Sequence, residues 1–266
     1  MNPAEFANIA RAEQRFWWYR GMRDIMFRLL DPVMAQRRFR RGLEAGCGTG
    51  HFAKALADRY ALALCAVDLG AEGLRYGRAL GVERLVQADI AALPFPDAAF
   101  DLVLSMDVIV HFPRGQEDRP MRELARVLEP GGVCAIRVSA LDALRSRHSQ
   151  FVCERQRFTR SRLHELARRH GLRVLRSTYA NSLLLPVALA KFRVWEPLLA
   201  RPAASGVRPV GRWLDALLYA PLACEARWIG MGLDFPLGQS LILLAEKHHA
   251  ISSIRKPRST GPSPAN

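Results

Sequence analysis

The stretch that decides the fold is Leu43-Glu44-Ala45-Gly46-Cys47-Gly48-Thr49-Gly50. It is a short apolar run that ends in three alternating glycines and precedes a helical pattern over residues 52–60. A glycine-rich turn between a strand and a helix lets a ligand approach the backbone at the helix N-terminus. The spacing is G-x-G-x-G, and His51 stands where the dinucleotide fingerprint requires its last glycine. The turn therefore predicts a nucleotide-type site and disfavours a nicotinamide-dependent oxidoreductase, which stays open as an alternative.

The pattern around this turn indicates an α/β fold. From Arg41 onward, short apolar runs alternate with helical patterns, which is the sequence form of a doubly wound sheet. The predicted strands cover residues 43–45, 62–67, 84–87, 102–105, 133–138, 172–179 and 240–245. We predict a seven-stranded, mostly parallel sheet in which the seventh strand lies at an edge.

Four segments are predicted along the chain. Residues 1–40 form an N-terminal helical lead-in or lid, and residues 41–180 with 236–247 form the α/β core. Residues 181–235 are apolar and helical with interrupting prolines, so we expect a helical cap inserted before the last strand. Residues 248–266, rich in Ser, Pro and Arg, are expected to be disordered.

Two acidic residues follow neighbouring predicted strands. Asp68 stands 22 residues after Gly46, where a carboxylate can accept hydrogen bonds from both hydroxyls of a ribose. Asp89 closes the third strand, where it can accept a hydrogen bond from an adenine amino group while Ile90 packs on the ring. Asp68 alone would equally well be a turn residue. Two acidic strand ends that converge on one nucleoside are a more specific signal than either alone.

With these motifs the chain resembles the class I S-adenosylmethionine-dependent methyltransferases, especially their small-molecule branch, often called type 11. The matching stretches are residues 44–50, 67–69, 88–90, 93–101, 105–112 and 126–132, the last reading Arg126-Val127-Leu128-Glu129-Pro130-Gly131-Gly132. The resemblance implies a Rossmann-like fold, S-adenosyl-L-methionine as cofactor, and methyl transfer to an oxygen, nitrogen or carbon of a small molecule in a biosynthetic pathway.

The resemblance also implies a set of cofactor-binding residues. They are Tyr19, Arg20, Glu44, Gly46, Cys47, Gly48, Asp68, Leu69, Asp89, Ile90, Ser105 and Met106. Glu44 would reach the amino group of the methionine portion through water, and Tyr19 and Arg20 would reach its carboxylate. The alternative for this aromatic lead-in is plain packing of a helix on the sheet.

The acceptor side offers fewer signals. His111, just after the fourth strand, is the candidate catalytic base for a hydroxyl acceptor, and a histidine that only packs the loop is the alternative. Trp18, Tyr179 and Asn181 are candidate substrate-binding residues. The aromatic cap predicts an apolar roof and hence an aromatic, terpenoid or lipid-like acceptor. Ordinary helix packing or a homodimer interface would explain the same cap.

Composition restricts the remaining classes. The net charge is +14, but 35 of the 39 basic residues are arginines spread along the chain, so we expect solvated surfaces and no nucleic-acid partner. An RNA-directed methyltransferase remains the alternative. Five cysteines without a C-x-x-C pair predict neither disulfides nor a metal site and suit a cytoplasmic protein. No segment looks like a signal peptide or a membrane span.

Overall fold

The computed structural model describes residues 4–199, 204–207 and 210–248. Its centre is a single seven-stranded sheet, as predicted. The strands are β1 (Arg41–Ala45), β2 (Ala63–Asp68), β3 (Arg84–Gln87), β4 (Phe100–Met106), β5 (Leu128–Ser139), β6 (Leu172–Ala180) and β7 (Ser240–Lys247). Their order is β3-β2-β1-β4-β5-β7-β6, and β7 alone runs antiparallel to its two neighbours.

The position of β7 differs from the prediction. It lies between β5 and β6, so the expected edge strand is an interior strand and β6 forms the edge. Residues 240–245 are buried without interruption, whereas β6 alternates between buried and more accessible positions. A continuously buried run is typical of a strand covered on both faces. The apolar stretch Leu241-Ile242-Leu243-Leu244 carried this signal in the sequence.

Helices cover both faces of the sheet. They are α1 (Ala4–Ala12), α2 (Trp17–Gln36), α3 (His51–Tyr60), α4 (Ala71–Ala79), α5 (Asp118–Val127), α6 (Arg147–Phe151), α7 (Arg160–Arg169), α8 (Leu185–Ala190), α9 (Glu196–Leu199) and α10 (Arg212–Gly230). Short 3-10 turns span Ile109–His111 and Asp142–Leu144, and a π-helical segment, Lys191–Trp195, joins α8 to α9.

The sheet separates two apolar cores. Successive strand residues point to opposite faces, so Leu102 and Leu104 of β4 enter one core and Val103 enters the other. Helices α2, α3 and α10 contribute buried residues to the first core, and α5 and α7 contribute to the second. This arrangement is doubly wound, and it leaves the carboxyl ends of β1, β2 and β4 together at one edge of the core.

The predicted lead-in and cap are both helical and contact each other. Trp17 at the start of α2 donates its backbone N–H to Asp215 in α10 at 2.8 Å. Tyr219 of α10 donates its hydroxyl to Asp24 of α2 at 2.5 Å. In the described parts of the chain, no helix has the length and apolar character needed to cross a membrane. Of the predicted disordered tail, residues 249–266 lie outside the described residues.

Candidate functional site

The glycine-rich turn follows β1 and uses each glycine differently. Gly46 has φ +88°, and a Cβ there would lie 2.1 Å from a methyl carbon of Val108. Gly50 has φ +75°, and a Cβ there would lie 2.9 Å from the Cα of Gly77. At Gly48, with φ +56°, a Cβ would meet no atom within 4 Å. Two glycines therefore permit close packing, and Gly48 presents open backbone to a cavity.

Asp68 ties the end of β2 to this turn. One carboxylate oxygen accepts the Gly48 N–H at 2.7 Å, and the other accepts the Gly70 N–H at 2.8 Å. Burial raises the pKa of Asp68, while these two backbone donors oppose the rise. A carboxylate has about four acceptor positions, so Asp68 can still accept hydrogen bonds from ligand hydroxyls. The predicted ribose contact is compatible with this geometry.

Glu44, near the end of β1, is buried and lacks a full set of partners. Its Oε2 atom has no hydrogen-bond partner among the described residues. Burial, and secondly the neighbouring Asp68, raise the pKa of Glu44 to about 8. An unpaired acceptor that is this costly to ionise fits a ligand that brings a positive charge.

Helix α1, part of the predicted helical lead-in or lid, covers the same region through contacts that the sequence did not reveal. Phe6 packs its ring over Gly70 and Gly73, so that a Cβ on either glycine would lie within 2.7 Å of ring carbons. After α1 ends, buried Glu13 accepts a hydrogen bond from the Thr49 hydroxyl of the glycine turn. Burial raises the pKa of Glu13 to about 7. The N-terminal helix thus contacts the turn directly.

A half-buried ion pair follows β4 and was also missed. Asp107 adopts φ +57°, and its Oδ2 lies 2.5 Å from the guanidinium of Arg137 on β5. That guanidinium lies over the ring of Trp18, 5.0 Å from its centroid. Asp107 Oδ1 has no partner among the described residues. A lone arginine in the otherwise apolar run Val133–Val138 was the available sequence signal.

These groups line a cavity of about 1090 Å³. It collects most of the residues that the sequence predicted for the site. They are Trp18, Tyr19, Glu44, Gly46, Cys47, Gly48, Asp68, Leu69, Asp89, Ile90, Met106, His111 and Asn181. The volume exceeds the few hundred cubic ångströms that a drug-sized ligand requires, so the cavity has room for a second molecule.

Three predicted site residues do not line it. The Arg20 guanidinium lies 4.2 Å from the Tyr219 ring centroid and 3.5 Å from the carboxylate of Asp215. Arg20 is therefore held against α10, and Arg23, one turn further along α2, lines the cavity instead. Ser105 is fully buried within β4.

Tyr179, the third of these residues, is turned away from the cavity by the elements around β6. Its hydroxyl accepts the Arg160 N–H at 3.3 Å, and the Arg160 guanidinium lies over its ring. The cavity-facing polar residue that follows β6 is instead Asn181, whose buried Oδ1 has no partner among the described residues.

His111 is oriented by a single backbone contact. Its Nδ1 lies 3.3 Å from the carbonyl oxygen of Cys153. A carbonyl oxygen only accepts hydrogen bonds, so Nδ1 carries the proton and Nε2 keeps its lone pair. Burial, the largest effect, lowers the pKa of His111. The side chain is therefore a neutral imidazole at pH 7, and its Nε2 has no hydrogen-bond partner among the described residues.

Beyond His111 the lining includes one hydrogen-bonded polar group, which lies outside the predicted cap. Arg157 bonds Glu154 at 2.6 Å and the Ser149 hydroxyl at 2.9 Å, and Ser139 donates to Glu154 at 2.9 Å. Of the described aromatic side chains of the cap, Phe192 alone lines the cavity. The remaining tryptophans, Trp195, Trp213 and Trp228, are exposed.

The cap closes this polar end through residues 204–207. The Gly206 N–H donates to His148 Nδ1 at 2.9 Å, and the Ser205 hydroxyl donates to Glu5 of α1 at 2.9 Å. Burial lowers the pKa of His148. Within the described ranges, no three potential ligands among His, Cys, Asp and Glu come together as a metal site.

Comparisons with known proteins find methyltransferases. Residues 43–136 match a family described as Methyltransferase domain. The malonyl-[acyl-carrier protein] O-methyltransferase of Enterobacter lignolyticus (strain SCF1) is 38% identical over 130 residues, which are 47% of this chain and 51% of that protein. The fatty-acid O-methyltransferase of Mycolicibacterium smegmatis is 41% identical over 98 residues, 35% of each chain. The chain thus spans about half or less of these curated relatives.

Solved structures share the architecture over a longer range. Phosphoethanolamine N-methyltransferase 2 of Haemonchus contortus, solved with S-adenosyl-L-methionine, has a TM-score of 0.53 and 19% sequence identity. The match covers 83% of this chain and 52% of that one. At this identity the likeness shows a common fold, and the seven-stranded order described above is that fold.

Proposed function

We propose that the chain is a class I S-adenosylmethionine-dependent methyltransferase and that it methylates a hydroxyl group of a polar small molecule. The observation that carries the proposal is one cavity that holds an acidic, glycine-lined end and a neutral histidine with a free nitrogen. The first end suits a cationic nucleoside donor, and the histidine suits an acceptor that must lose a proton.

The residues at the donor end fit S-adenosylmethionine. The unpaired Oε2 of Glu44 would hold the amino group, and the open backbone at Gly48 would face the methionine portion. Asp68 and Asp89 would hold the ribose and the adenine, and Arg23 replaces Arg20 as the candidate partner of the carboxylate. When bound, this cofactor supplies a methyl group on a positively charged sulfur.

The protein's own contribution to the reaction is orientation and proton removal. A displacement of this kind needs the acceptor oxygen aligned with the methyl carbon and water kept out. Helix α1 and residues 204–207 would exclude water, because both line the cavity and the Ser205 hydroxyl donates to Glu5 of α1, while the Gly206 N–H donates to His148 of α6. His111 Nε2 would accept the proton of the acceptor hydroxyl.

One polar part of the lining supports the choice of acceptor. Ser139, Ser149, Glu154 and Arg157 form one hydrogen-bonded group at the end of the cavity where His111 lies. A site built from polar groups discriminates strongly in favour of substrates that complete its hydrogen bonds. The names of both curated relatives include O-methyltransferase, which supports an oxygen as the acceptor atom.

Calorimetric titration with S-adenosylhomocysteine tests the donor assignment. Asp68→Ala should weaken binding by roughly 1 to 3 kcal/mol, the cost of leaving buried donors unpaired. The matched control is Asp97→Ala, because the Asp97 side chain is 79% exposed and lies outside the cavity. Thermal unfolding of each variant separates a binding loss from an unfolded site. Binding of NAD in place of S-adenosylhomocysteine, or equal affinities for both variants, would contradict the proposal.

A further inference from the structure

Exposed apolar side chains are concentrated in one part of the molecule. Among the described residues, 12 of the 14 exposed large apolar side chains fall between residues 183 and 237. Five of the helical ones form what we term the cap surface, which comprises Val194, Trp195, Leu198, Trp213 and Leu217, exposed by 55%, 64%, 77%, 74% and 58%. Scattered single apolar residues need no explanation, but such a concentration marks an interaction surface.

The cap surface lies on helices whose other faces are already used. Phe192 and Glu196 line the cavity, and Trp195 and Leu198 lie on the same helical stretch. In α10, Leu218 lines the cavity while Leu217 is exposed. The exposed residues are therefore the outward side of the helices that enclose the cavity.

The charge around the cap surface is positive. Between residues 183 and 237 the described acidic side chains are all engaged within the protein. Glu196 accepts the Arg147 N–H, and Asp215 accepts the Trp17 N–H. Glu225 accepts the Ser182 and Leu183 N–H groups. Asp234 pairs with Arg176. Arg193 and Arg212 are exposed and make no ion pair with the described residues.

We propose that the cap surface docks the protein on an anionic membrane surface. Helices that expose tryptophan and leucine beside unpaired arginine are suited to the boundary between acyl chains and negatively charged headgroups. A second copy of this chain is a poorer partner, because each copy carries a net charge of +14 and would bring Arg193 and Arg212 against their equivalents. The inference does not depend on the identity of the donor or of the acceptor.

Vesicle co-sedimentation of the full chain tests this surface. The probes are vesicles of phosphatidylcholine alone and of phosphatidylcholine with a quarter of phosphatidylglycerol, at about 0.1 M salt where charges a Debye length apart still interact. The protein should sediment with the anionic vesicles and bind the neutral ones at least tenfold more weakly. Raising the salt should release it.

Two double variants separate the apolar and the basic contributions. Arg193→Gln with Arg212→Gln should weaken binding roughly 25-fold, since each basic group near an anionic surface strengthens binding about fivefold. The separate double variant Trp195→Ser with Trp213→Ser should lose most of the binding to anionic vesicles. The controls are Arg75→Gln with Arg78→Gln on α4, and Leu175→Ser, exposed by 41% on β6. Binding of S-adenosylhomocysteine should be unchanged in all of them.

Three results would overturn the docking proposal. The first is that the wild-type protein does not sediment with anionic vesicles. The second is equal weakening by the cap variants and their controls. The third is a dimer in sedimentation velocity that Trp195→Ser with Trp213→Ser dissociates, because the cap surface would then be an interface between copies.

Discussion

Replacing Glu44 by glutamine should change how the stability of the protein depends on pH. The side chain is 2% exposed, and its pKa is raised from 4.5 to about 8, foremost by burial. The folded protein therefore holds this proton more tightly than the unfolded chain does. Its stabilising effect is complete below about pH 4.5 and is lost as the pH rises toward 8. Glutamine has nearly the same shape and no proton to lose.

The magnitude follows from this shift. Between about pH 4.5 and pH 8, each pH unit lowers the unfolding free energy of the wild type by about 1.4 kcal/mol relative to that of Glu44→Gln. Between pH 5 and pH 7 the relative loss amounts to about 2.5 kcal/mol. Urea unfolding at pH 5, 6 and 7, followed by tryptophan fluorescence, measures it. Other groups, including Glu13, titrate in both proteins and cancel in the difference.

A flat difference would refute the reasoning. If the unfolding free energies of wild type and Glu44→Gln differ by the same amount at pH 5 and pH 7, Glu44 ionises normally in the fold. A second measurement links the shift to the donor. A cationic ligand should force Glu44 to ionise, so titration at pH 7 in buffers of different ionisation enthalpy should detect release of about one proton in wild type and none in Glu44→Gln.

Further predictions concern catalysis, packing and donor contacts. His111→Ala should reduce turnover about 10²-fold. Because the lowered pKa keeps His111 unprotonated, the wild-type rate should fall only below pH 6.5, and the variant should lack this fall. The same pH profile in both proteins would assign His111 to packing. Gly46→Ala should lower the unfolding free energy by about 3 kcal/mol through its positive φ and steric overlap. Gly48→Ala should lower it by about 1 kcal/mol and mainly weaken donor binding. Equal shifts of the thermal unfolding temperature would contradict this difference. Arg23→Gln should weaken S-adenosylhomocysteine binding about tenfold, and Arg20→Gln should weaken it less than twofold. If calorimetry gives the reverse order, Arg20 and not Arg23 contacts the ligand.

Local sequence signals located the strands and the glycine-rich turn that lines the cavity. The strand predicted at residues 43–45 spans Arg41–Ala45, and the strand predicted at 84–87 begins and ends there. Apolar runs that end in turn residues are local features, and the carboxyl ends of parallel strands converge wherever the sheet forms. Asp68 and Asp89 therefore line one cavity although neither is near the other in sequence.

Contacts between distant segments could not be predicted in this way. Glu13 reaches the glycine turn because α1 packs on α4, and no pattern within residues 4–12 specifies that partner. Which of Arg20 and Arg23 faces the cavity depends on how α2 is rotated against α10. Arg20 pairs with Asp215 of α10, and Arg23 lines the cavity. The position of β7 depends on which strands exclude solvent on both faces, a property of the assembled sheet.

The cap shows why an apolar pattern does not identify the ligand. Its helices have apolar residues on more than one side, and the sequence alone favoured turning the aromatics toward the site. The structure directs Phe192 and Leu218 inward but leaves Trp195 and Trp213 exposed, while residues 204–207 close the cavity with polar contacts. Enclosing a polar acceptor requires hydrogen-bonding groups on the inner side, because an unpaired buried polar group costs free energy. The outward aromatics do not line the cavity, and the docking proposal assigns them to a membrane surface outside the protein.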